Sequence, residues 1–310
     1  LDPAEGLTES AAAALPADIR ERLLWWTLSS AEPAHRRQFA RKFLHWTPTW
    51  TEWAAVASVP AAPAAAPRLE VTEVTAAESQ RDPHLQTLID HAKQSIRAAY
   101  DNRSPLPPAL LQMEGMTGHK TRHLYNNLCS LRAVAAPGPD GTRRAPRYLE
   151  IGTWKGSSFM SAMYGNSHTT GYCVDNWSEF GGPKDEFFAN LSRHLGNPPN
   201  VRIIDKDCWT LTNSDIPANS IDIYLYDGAH EFADHRAAFT HIVPFLSRYA
   251  IVLVDDWAYE SPTHGIQQGT WAGIADTGLK VHFAEEIGLV NTPHYHTCLL
   301  YTSPSPRDAT

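Results

Sequence analysis

The stretch RYLEIGTWKGSS, residues 147–158, decides the fold class. It starts as a short apolar strand and then turns at two glycines, Gly152 and Gly156. Similar apolar runs follow at 169–175, 200–205, 221–227, 249–256 and 279–287. Helix-like stretches separate them at 157–164, 183–195, 231–246 and 265–275. This alternation predicts an α/β fold, in which a parallel sheet carries helices on both faces.

The composition limits the classes of function. The chain has 310 residues, enough for one large domain or one domain with an appendage, and its net charge of −8 argues against nucleic acid as a partner. No apolar run is long enough to predict a transmembrane segment. The four cysteines form no CxxC pair, which favours a reducing compartment, and we expect the cytoplasm. Leu1 is not a methionine, so the natural N-terminus stays open.

Residues 1–53 are rich in aromatic side chains. They contain five of the ten tryptophans, namely Trp25, Trp26, Trp46, Trp50 and Trp53. The segments 17–28 and 33–46 have helical apolar spacing with basic residues on the opposite face. We predict a helical appendage that packs on the main domain or on itself. The alternative is a pair of basic amphipathic helices that bind a membrane or a partner protein.

An Ala/Pro-rich linker, residues 54–67, follows the appendage, because proline at this density favours extended structure over helix. The main domain is predicted at 68–297. Its lead-in contains a helix at 83–101 and a glycine-containing loop with a further helix at 114–135.

Carboxylates stand at the end of each of the first five predicted strands. Ligands of an open parallel sheet bind beyond the carboxyl ends of its strands. The residues concerned are Glu150, Asp175, Asp205 with Asp207, Asp227, and Asp255 with Asp256. Each one alone is explained equally well as a turn or cap residue. Together on one edge they predict a ligand site.

The first of these strands leads into the pattern E-x-G-x-x-x-G. Gly152 and Gly156 let the backbone turn tightly and approach a ligand, and Ser157 or Ser158 is placed to cap the next helix. The pattern is neither the G-x-G-x-x-G dinucleotide fingerprint nor a P-loop. Because Asp175 ends the second strand, where it can bond a ribose diol, the combination predicts a nucleotide-type cofactor.

Residues 114–297 resemble class I S-adenosylmethionine-dependent methyltransferases, and within them the metal-dependent macrocin- and mycinamicin-type sugar O-methyltransferases. The likeness is carried by EGMTG, YLEIGTWKGSS, VDNWSEFGGPKDEF, DKDCW, YLYDGAHEF and VLVDDW. It implies a Rossmann-like sheet of seven strands whose last strand is antiparallel. It also implies S-adenosylmethionine as the cofactor.

The resemblance assigns roles along the cofactor. Glu150, Gly152 and Gly156 would hold its methionine end, and Asp175 would bind the ribose hydroxyls. Met116, in the loop before the fold, would cover it. A further group, Asp207, Cys208 and Trp209, would lie beside the adenine. For Trp209, packing in the core is an equal alternative.

Asp227, Asp255 and Asp256 are predicted to converge near the transferred methyl group. Three such carboxylates repel one another unless a cation binds or some are protonated, and Mg²⁺ prefers oxygen ligands. His230 follows Asp227 by three residues and is predicted to take the proton of a substrate hydroxyl. The alternatives are a helix N-cap for the Asp-Asp pair and a structural hydrogen bond for His230.

The resulting prediction is an O-methyltransferase that acts, with Mg²⁺, on a hydroxyl of a sugar- or polyol-like small molecule. The first alternative is a methyltransferase-like module that binds a nucleotide-type ligand without transfer. The second is an NAD(P)-dependent oxidoreductase, against which the missing G-x-G-x-x-G argues. The sequence leaves the acceptor open, and also whether the chain forms a homo-oligomer.

The segment CLLYTSPSPRD, residues 298–308, resembles the translation of a transposase sequencing adapter. We therefore expect residues 298–310 to be a non-native tail and the natural sequence to end near Thr297. The alternative is an ordinary tail rich in proline and serine. If the tail is non-native, the sheet lacks its natural last strand, although CLLYT has the β-favouring residues to form one in its place.

Overall fold

The computed structural model of the chain describes residues 83–132, 144–257, 265–287 and 297–303. These residues all belong to one compact unit, which comprises residues 66–259 and 265–310. The predicted aromatic appendage at 1–53 and the linker at 54–67 lie outside the described residues. No helix among the described residues is long and apolar enough to cross a membrane.

Three helices lead into the sheet: α1 at Pro83–Tyr100, α2 at Pro108–Leu111 and α3 at His119–Cys129. The predicted helices at 83–101 and within 114–135 are thereby confirmed, the second ending at Cys129. Apolar residues recur along α1 every three or four positions and are buried: Leu85, Leu88, Ile89, Ala92, Ile96 and Ala99. This face packs the lead-in onto the domain.

The sheet has seven strands in the order β3-β2-β1-β4-β5-β7-β6. The strands are β1 (Arg147–Ile151), β2 (Thr170–Asp175), β3 (Val201–Asp205), β4 (Ile221–Tyr226), β5 (Leu246–Val254), β6 (Lys280–Ile287) and β7 (Thr297–Ser303). Strands β1 to β5 pair in parallel, whereas β7 is antiparallel to both β5 and β6. The predicted Rossmann-like α/β fold with an antiparallel last strand is confirmed. The strand that completes it contains the segment CLLYT.

Four α-helices alternate with the strands: α4 (Ser157–Met163), α5 (Lys184–Leu195), α6 (Phe232–Thr240) and α7 (Ile266–Thr277). The helix predicted at 231–246 is shorter than expected. Its C-terminal part is a separate 3₁₀ turn at Val243–Phe245. Pro244 explains the break, because proline has no backbone N–H to donate to the helix.

The central strand β4 is buried at every position. Alternate residues face opposite sides of a strand, so Ile223 and Leu225 join the core on one face while Tyr224 and Tyr226 join the other. The polar exception is Asp222, which is 1% exposed. It accepts two hydrogen bonds of 2.6 Å from the guanidinium of Arg144, and this ion pair lies at the end of the sheet opposite the carboxyl edge.

Candidate functional site

The glycine turn, residues 152–156, follows β1 at the carboxyl edge of the sheet. Gly152 has φ +85° and Gly156 has φ +84°, a region that favours glycine. A Cβ atom on Gly152 would lie 1.8 Å from the backbone oxygen of Asp227. The glycine turn and the segment after β4 are therefore in direct contact, and only glycine fits between them.

The predicted cap of α4 by Ser157 or Ser158 is wrong. The N-cap residue is Gly156, and no side chain caps the helix. Instead, the Ser158 hydroxyl donates 2.6 Å to the carboxyl group of Glu150. The buried carboxyl attracts this hydroxyl away from the helix end, because a buried polar group without a partner is costly.

Glu150 lies beneath the glycine turn and not at the surface of the edge. Its side chain is fully buried and also accepts a 2.5 Å hydrogen bond from the Tyr148 hydroxyl. Burial raises the pKa of Glu150 to about 8. Its carboxyl group is therefore not exposed to a cofactor, and the role of Glu150 at the methionine end stays a prediction. The carboxyl reaches the turn through Ser158.

Asp175 ends β2 and organises two backbone segments. One carboxylate oxygen accepts a 2.7 Å hydrogen bond from the backbone N–H of Trp154, and the other accepts 2.6 Å from that of Trp177. Both tryptophans have positive φ, +45° and +48°. Since each carboxylate oxygen has a second acceptor position, Asp175 retains the capacity to bond a diol. The sequence did not single out Trp154 or Trp177.

The segment Asp207–Trp209 follows β3. Asp207 caps a 3₁₀ turn by accepting a 3.0 Å hydrogen bond from the backbone N–H of Trp209. The Trp209 ring packs against Tyr226, at 6.3 Å between centroids, so it contributes to the core as the alternative interpretation holds. Burial raises the pKa of the Cys208 thiol to about 12, which makes it unreactive at neutral pH. The adenine role of the three residues stays a prediction.

Asp227 and Asp255 form an acidic pair where β4 and β5 end. The two strands are neighbours, and their side-chain carboxyl groups share a hydrogen bond. The backbone N–H of Asp227 donates 2.9 Å to the Ile151 oxygen, which fixes the pair beside the glycine turn. Burial, followed by the charges of Asp255 and Asp256, raises the pKa of Asp227 well above its usual range. The pair is thus poised to share a proton or to bind a cation.

Asp256 faces His230. The Oδ2 atom of Asp256 lies 3.0 Å from Nε2 of His230. Asp256 has φ +51°, a conformation that costs an aspartate backbone strain. Burial lowers the pKa of His230, but the nearby carboxylate of Asp256 outweighs this effect and raises the pKa. The α7 helix has Gly265 as its N-cap, so the Asp-Asp pair does not cap it.

A predicted metal site at Asp227, Asp255 and Asp256 is not confirmed. Among the described residues, no group of three or more His, Cys, Asp or Glu side chains is arranged to hold a metal ion. Asp256 is paired with His230, and Asp227 is bonded to Asp255. The oxygen donors nevertheless suit Mg²⁺ in kind, and a bound cation would relieve the repulsion between the carboxylates.

Met116 stands on the loop between α2 and α3, with 67% of its surface exposed. The adjoining Gly115 is close enough to the start of α4 that a Cβ on it would meet Ser157 Oγ at 2.0 Å. The loop therefore lies next to the glycine turn, as a residue that covers a cofactor would require.

Residues 149–257 match a family model described as a methyltransferase domain. The match spans the last three residues of β1, the glycine turn, Asp175 and the acidic pair. This part of the chain is therefore similar to methyltransferase domains. The uncharacterized protein y4gI of Sinorhizobium fredii (strain NBRC 101917 / NGR234) is 28% identical over 153 residues, or 47% of this chain. That region is 17% of y4gI, so this chain spans about a sixth of its curated relative.

Solved structures with a similar fold include a protein from Corynebacterium glutamicum, at 16% identity and a TM-score of 0.44, covering 71% of this chain and 100% of that one. TrmN from Thermus thermophilus is 12% identical with a TM-score of 0.43, covering 63% and 51%. A SAM-dependent methyltransferase from Aquifex aeolicus is 15% identical with a TM-score of 0.37, covering 51% and 82%. Likeness at this level assigns no activity or substrate to this chain.

Proposed function

We propose that this protein is a methyltransferase that transfers a methyl group from S-adenosylmethionine to a hydroxyl oxygen of a sugar- or polyol-like small molecule. The supporting observation is the 3.0 Å pairing of His230 with Asp256 beside Asp227. A carboxylate close to one ring nitrogen orients a neutral imidazole and raises its affinity for a proton. A hydroxyl acceptor needs such a group, because its proton must leave as the methyl arrives.

The chemical step is a displacement at the methyl carbon. The bond from that carbon to the substrate oxygen forms while the bond to the sulfonium sulfur breaks. The products are a methyl ether and S-adenosylhomocysteine, and the hydroxyl proton moves to the imidazole of His230. The enzyme contributes proximity and orientation, because reactants held in line avoid the entropic cost of encounter.

The proposed cofactor contacts follow the carboxyl edge. The glycine turn approaches the methionine end, with Glu150 supporting the turn from below, and Asp175 accepts from the ribose hydroxyls. Asp207, Cys208 and Trp209 line the adenine, and Met116 covers the bound molecule. The tight backbone at Gly152 and Gly156 supports this arrangement, since a Cβ there would meet the Asp227 backbone or the Met160 and Phe187 side chains and displace the turn.

We include Mg²⁺ in the proposal, with Asp227 and Asp255 as its ligands. A bound Mg²⁺ would make a substrate hydroxyl more acidic. Asp256 would join them only if its ion pair with His230 opened. Chelation with EDTA is expected to remove turnover, and added Mg²⁺ is expected to restore it. Unchanged turnover in EDTA would leave the methyltransferase proposal standing and remove the metal from it.

The first experiment is calorimetric titration of the full chain with S-adenosylhomocysteine. We expect micromolar binding that Asp175→Ala weakens at least about tenfold, because a lost hydrogen bond to a charged group costs roughly 1.5–3 kcal/mol. The matched control is Asp205→Ala. Asp205 lies in register with Asp175 on β3 but is exposed and paired with Lys184, so we expect its loss to leave affinity unchanged. Absence of binding by a folded chain would overturn the proposal.

The second experiment follows methyl transfer from labelled cofactor to a panel of free sugars and polyols. His230→Ala is expected to bind S-adenosylhomocysteine normally and to lose about 10²–10⁴ in rate, the usual contribution of a positioned proton acceptor. A chain that binds the cofactor but transfers to none of the panel would favour the binding-module alternative. Binding of NAD(P) in its place would favour the oxidoreductase.

A further inference from the structure

Arg122 is a buried arginine on α3 with an unusual set of partners. It is 2% exposed, and burial lowers its pKa. Its guanidinium donates to four backbone carbonyl groups, those of Leu110 at 2.5 Å, Leu111 at 3.1 Å, Met113 at 2.9 Å and Thr117 at 2.9 Å. These carbonyls belong to the end of α2 and to the loop that follows it.

The covering loop, residues 113–118, rests on the glycine turn and on the first residue of α4. Gly115 packs so closely that a Cβ would lie 2.0 Å from Ser157 Oγ and 2.3 Å from Ser157 Cβ. The Ser157 hydroxyl donates 3.3 Å to the Thr117 hydroxyl. Glu114 forms a 2.7 Å ion pair with Lys155 of the turn. The covering loop therefore makes three contacts with the glycine turn and with Ser157, the residue that follows the turn.

We propose that Arg122 is a positioning residue that holds the covering loop closed against the glycine turn, and thereby keeps Met116 in the place from which it is proposed to cover the cofactor. The inference rests on the proposed function, because it assigns the cofactor's methionine end to the turn. Arg122 acts through the loop backbone, because its guanidinium donates to the carbonyl groups of Met113 and Thr117 on either side of Gly115.

Arginine suits this role better than lysine. Its planar guanidinium presents five N–H donors in a fixed fork and therefore reaches several carbonyls at once, whereas an ammonium is a point charge with three donors. Met116 gives a reason to fix the loop. It is a large apolar side chain held 67% exposed beside the turn, and a cofactor bound there would cover it.

The test compares two arginine-to-lysine variants of the full chain. In Arg122→Lys we expect faster hydrogen exchange of the amides at 113–118 and a Kd for S-adenosylhomocysteine at least tenfold higher. Arg144→Lys is the matched control, since Arg144 also makes a forked pair, with Asp222 at the opposite end of the strands. We expect it to change stability but neither the exchange of the loop nor the Kd beyond about twofold.

A double-variant cycle tests the contact itself. Gly115→Ala is expected to raise the Kd at least tenfold, because its new methyl meets the Ser157 side chain. In Gly115→Ala/Ser157→Gly that side chain is gone, so we expect the Kd to return to that of Ser157→Gly alone. If the Kd of the double variant stays as high as that of Gly115→Ala, the packing of the loop against Ser157 is not the cause of the weaker binding.

The outcomes separate this inference from the function on which it rests. If Arg122→Lys leaves the loop exchange and the Kd as in the original chain, the role of Arg122 is overturned while the methyltransferase proposal stands. If the original chain fails to bind S-adenosylhomocysteine at all, the cofactor assignment falls and the contact of Met116 falls with it. Hydrogen exchange would in that case still decide whether Arg122 holds the loop.

Discussion

Replacing Gly152 by alanine is expected to be among the most damaging single-methyl additions to this domain. The new Cβ would lie 1.8 Å from the Asp227 oxygen, whereas real Cβ contacts are essentially never under 3.0 Å. Both sides of the contact are backbone, so no side chain can rotate away. The two strand ends would have to separate, at a cost of about 3 kcal/mol, the upper end for overpacking a well-packed site. The positive φ adds about 1–2 kcal/mol.

Gly165→Ala separates the cost of the steric overlap from the cost of the positive φ. Gly165 has φ +74°, but an added Cβ there meets nothing within 4 Å. It therefore reports the backbone strain alone, about 1–2 kcal/mol. Gly156→Ala is intermediate, since its Cβ would meet the side chains of Met160 and Phe187 at 2.7 and 2.9 Å, and side chains can yield.

Urea-induced unfolding of the three variants measures these costs. We expect the loss of stability to rise from Gly165→Ala to Gly156→Ala to Gly152→Ala, with about 3 kcal/mol between the first and the last. Only the two variants of the glycine turn should also weaken binding of S-adenosylhomocysteine. Equal losses for Gly152→Ala and Gly165→Ala would refute the claim that the turn lies in backbone contact with Asp227.

Three further predictions concern buried charge and the sheet. Because the folded pKa of Glu150 is about 8 and its unfolded pKa is near 4.5, the original chain loses stability as pH rises between these values. The free energy of unfolding, measured at pH 5 and pH 8, should fall less with rising pH in Glu150→Gln than in the original chain, by at most about 5 kcal/mol. A substitution effect of equal size at both pH values would argue against a raised pKa of Glu150. Asp222→Ala should lower the free energy of unfolding by roughly 2–4 kcal/mol, because it leaves the Arg144 guanidinium without its carboxylate partner. Restored stability in Asp222→Ala/Arg144→Leu would support this cause. A loss below about 1 kcal/mol would contradict it. A chain ending at residue 296 lacks β7 and should lose cooperative thermal unfolding; an unchanged melting curve would show that β7 contributes nothing.

The sequence predicted the sheet well because its signals are local. Short apolar runs bounded by turns indicate strands, and the spacing between them leaves room for one helix each. The two glycines of the turn were also predictable, since an E-x-G-x-x-x-G pattern after a strand needs backbone freedom at both positions. The neighbourhood of Asp227 and Asp255 followed from the expected order of strands β4 and β5.

The partners of the charged groups could not be predicted in the same way. Glu150 was expected at the edge of the sheet but is bonded to Tyr148 and Ser158 beneath it. Asp256 was grouped with two other aspartates, whereas its backbone conformation directs it to His230. The partner of such a side chain depends on one dihedral angle or rotamer, and it produces no periodic pattern in a single sequence.

The insertion of β7 between β5 and β6 has a consequence for how the domain forms. Strand β6 makes no pairing with β5 among the described residues and is joined to the sheet through β7. In a chain that carries residues 298–310, β6 is synthesised first and has no partner strand until β7 follows. Strands β1 to β5 can associate earlier, because their pairings need no later segment. The last pairings close a loop of more than 40 residues between β5 and β7, and long loops slow the approach to the native state. The exposed edge of β5 during this interval is where the nascent chain is most open to pairing with another copy of itself.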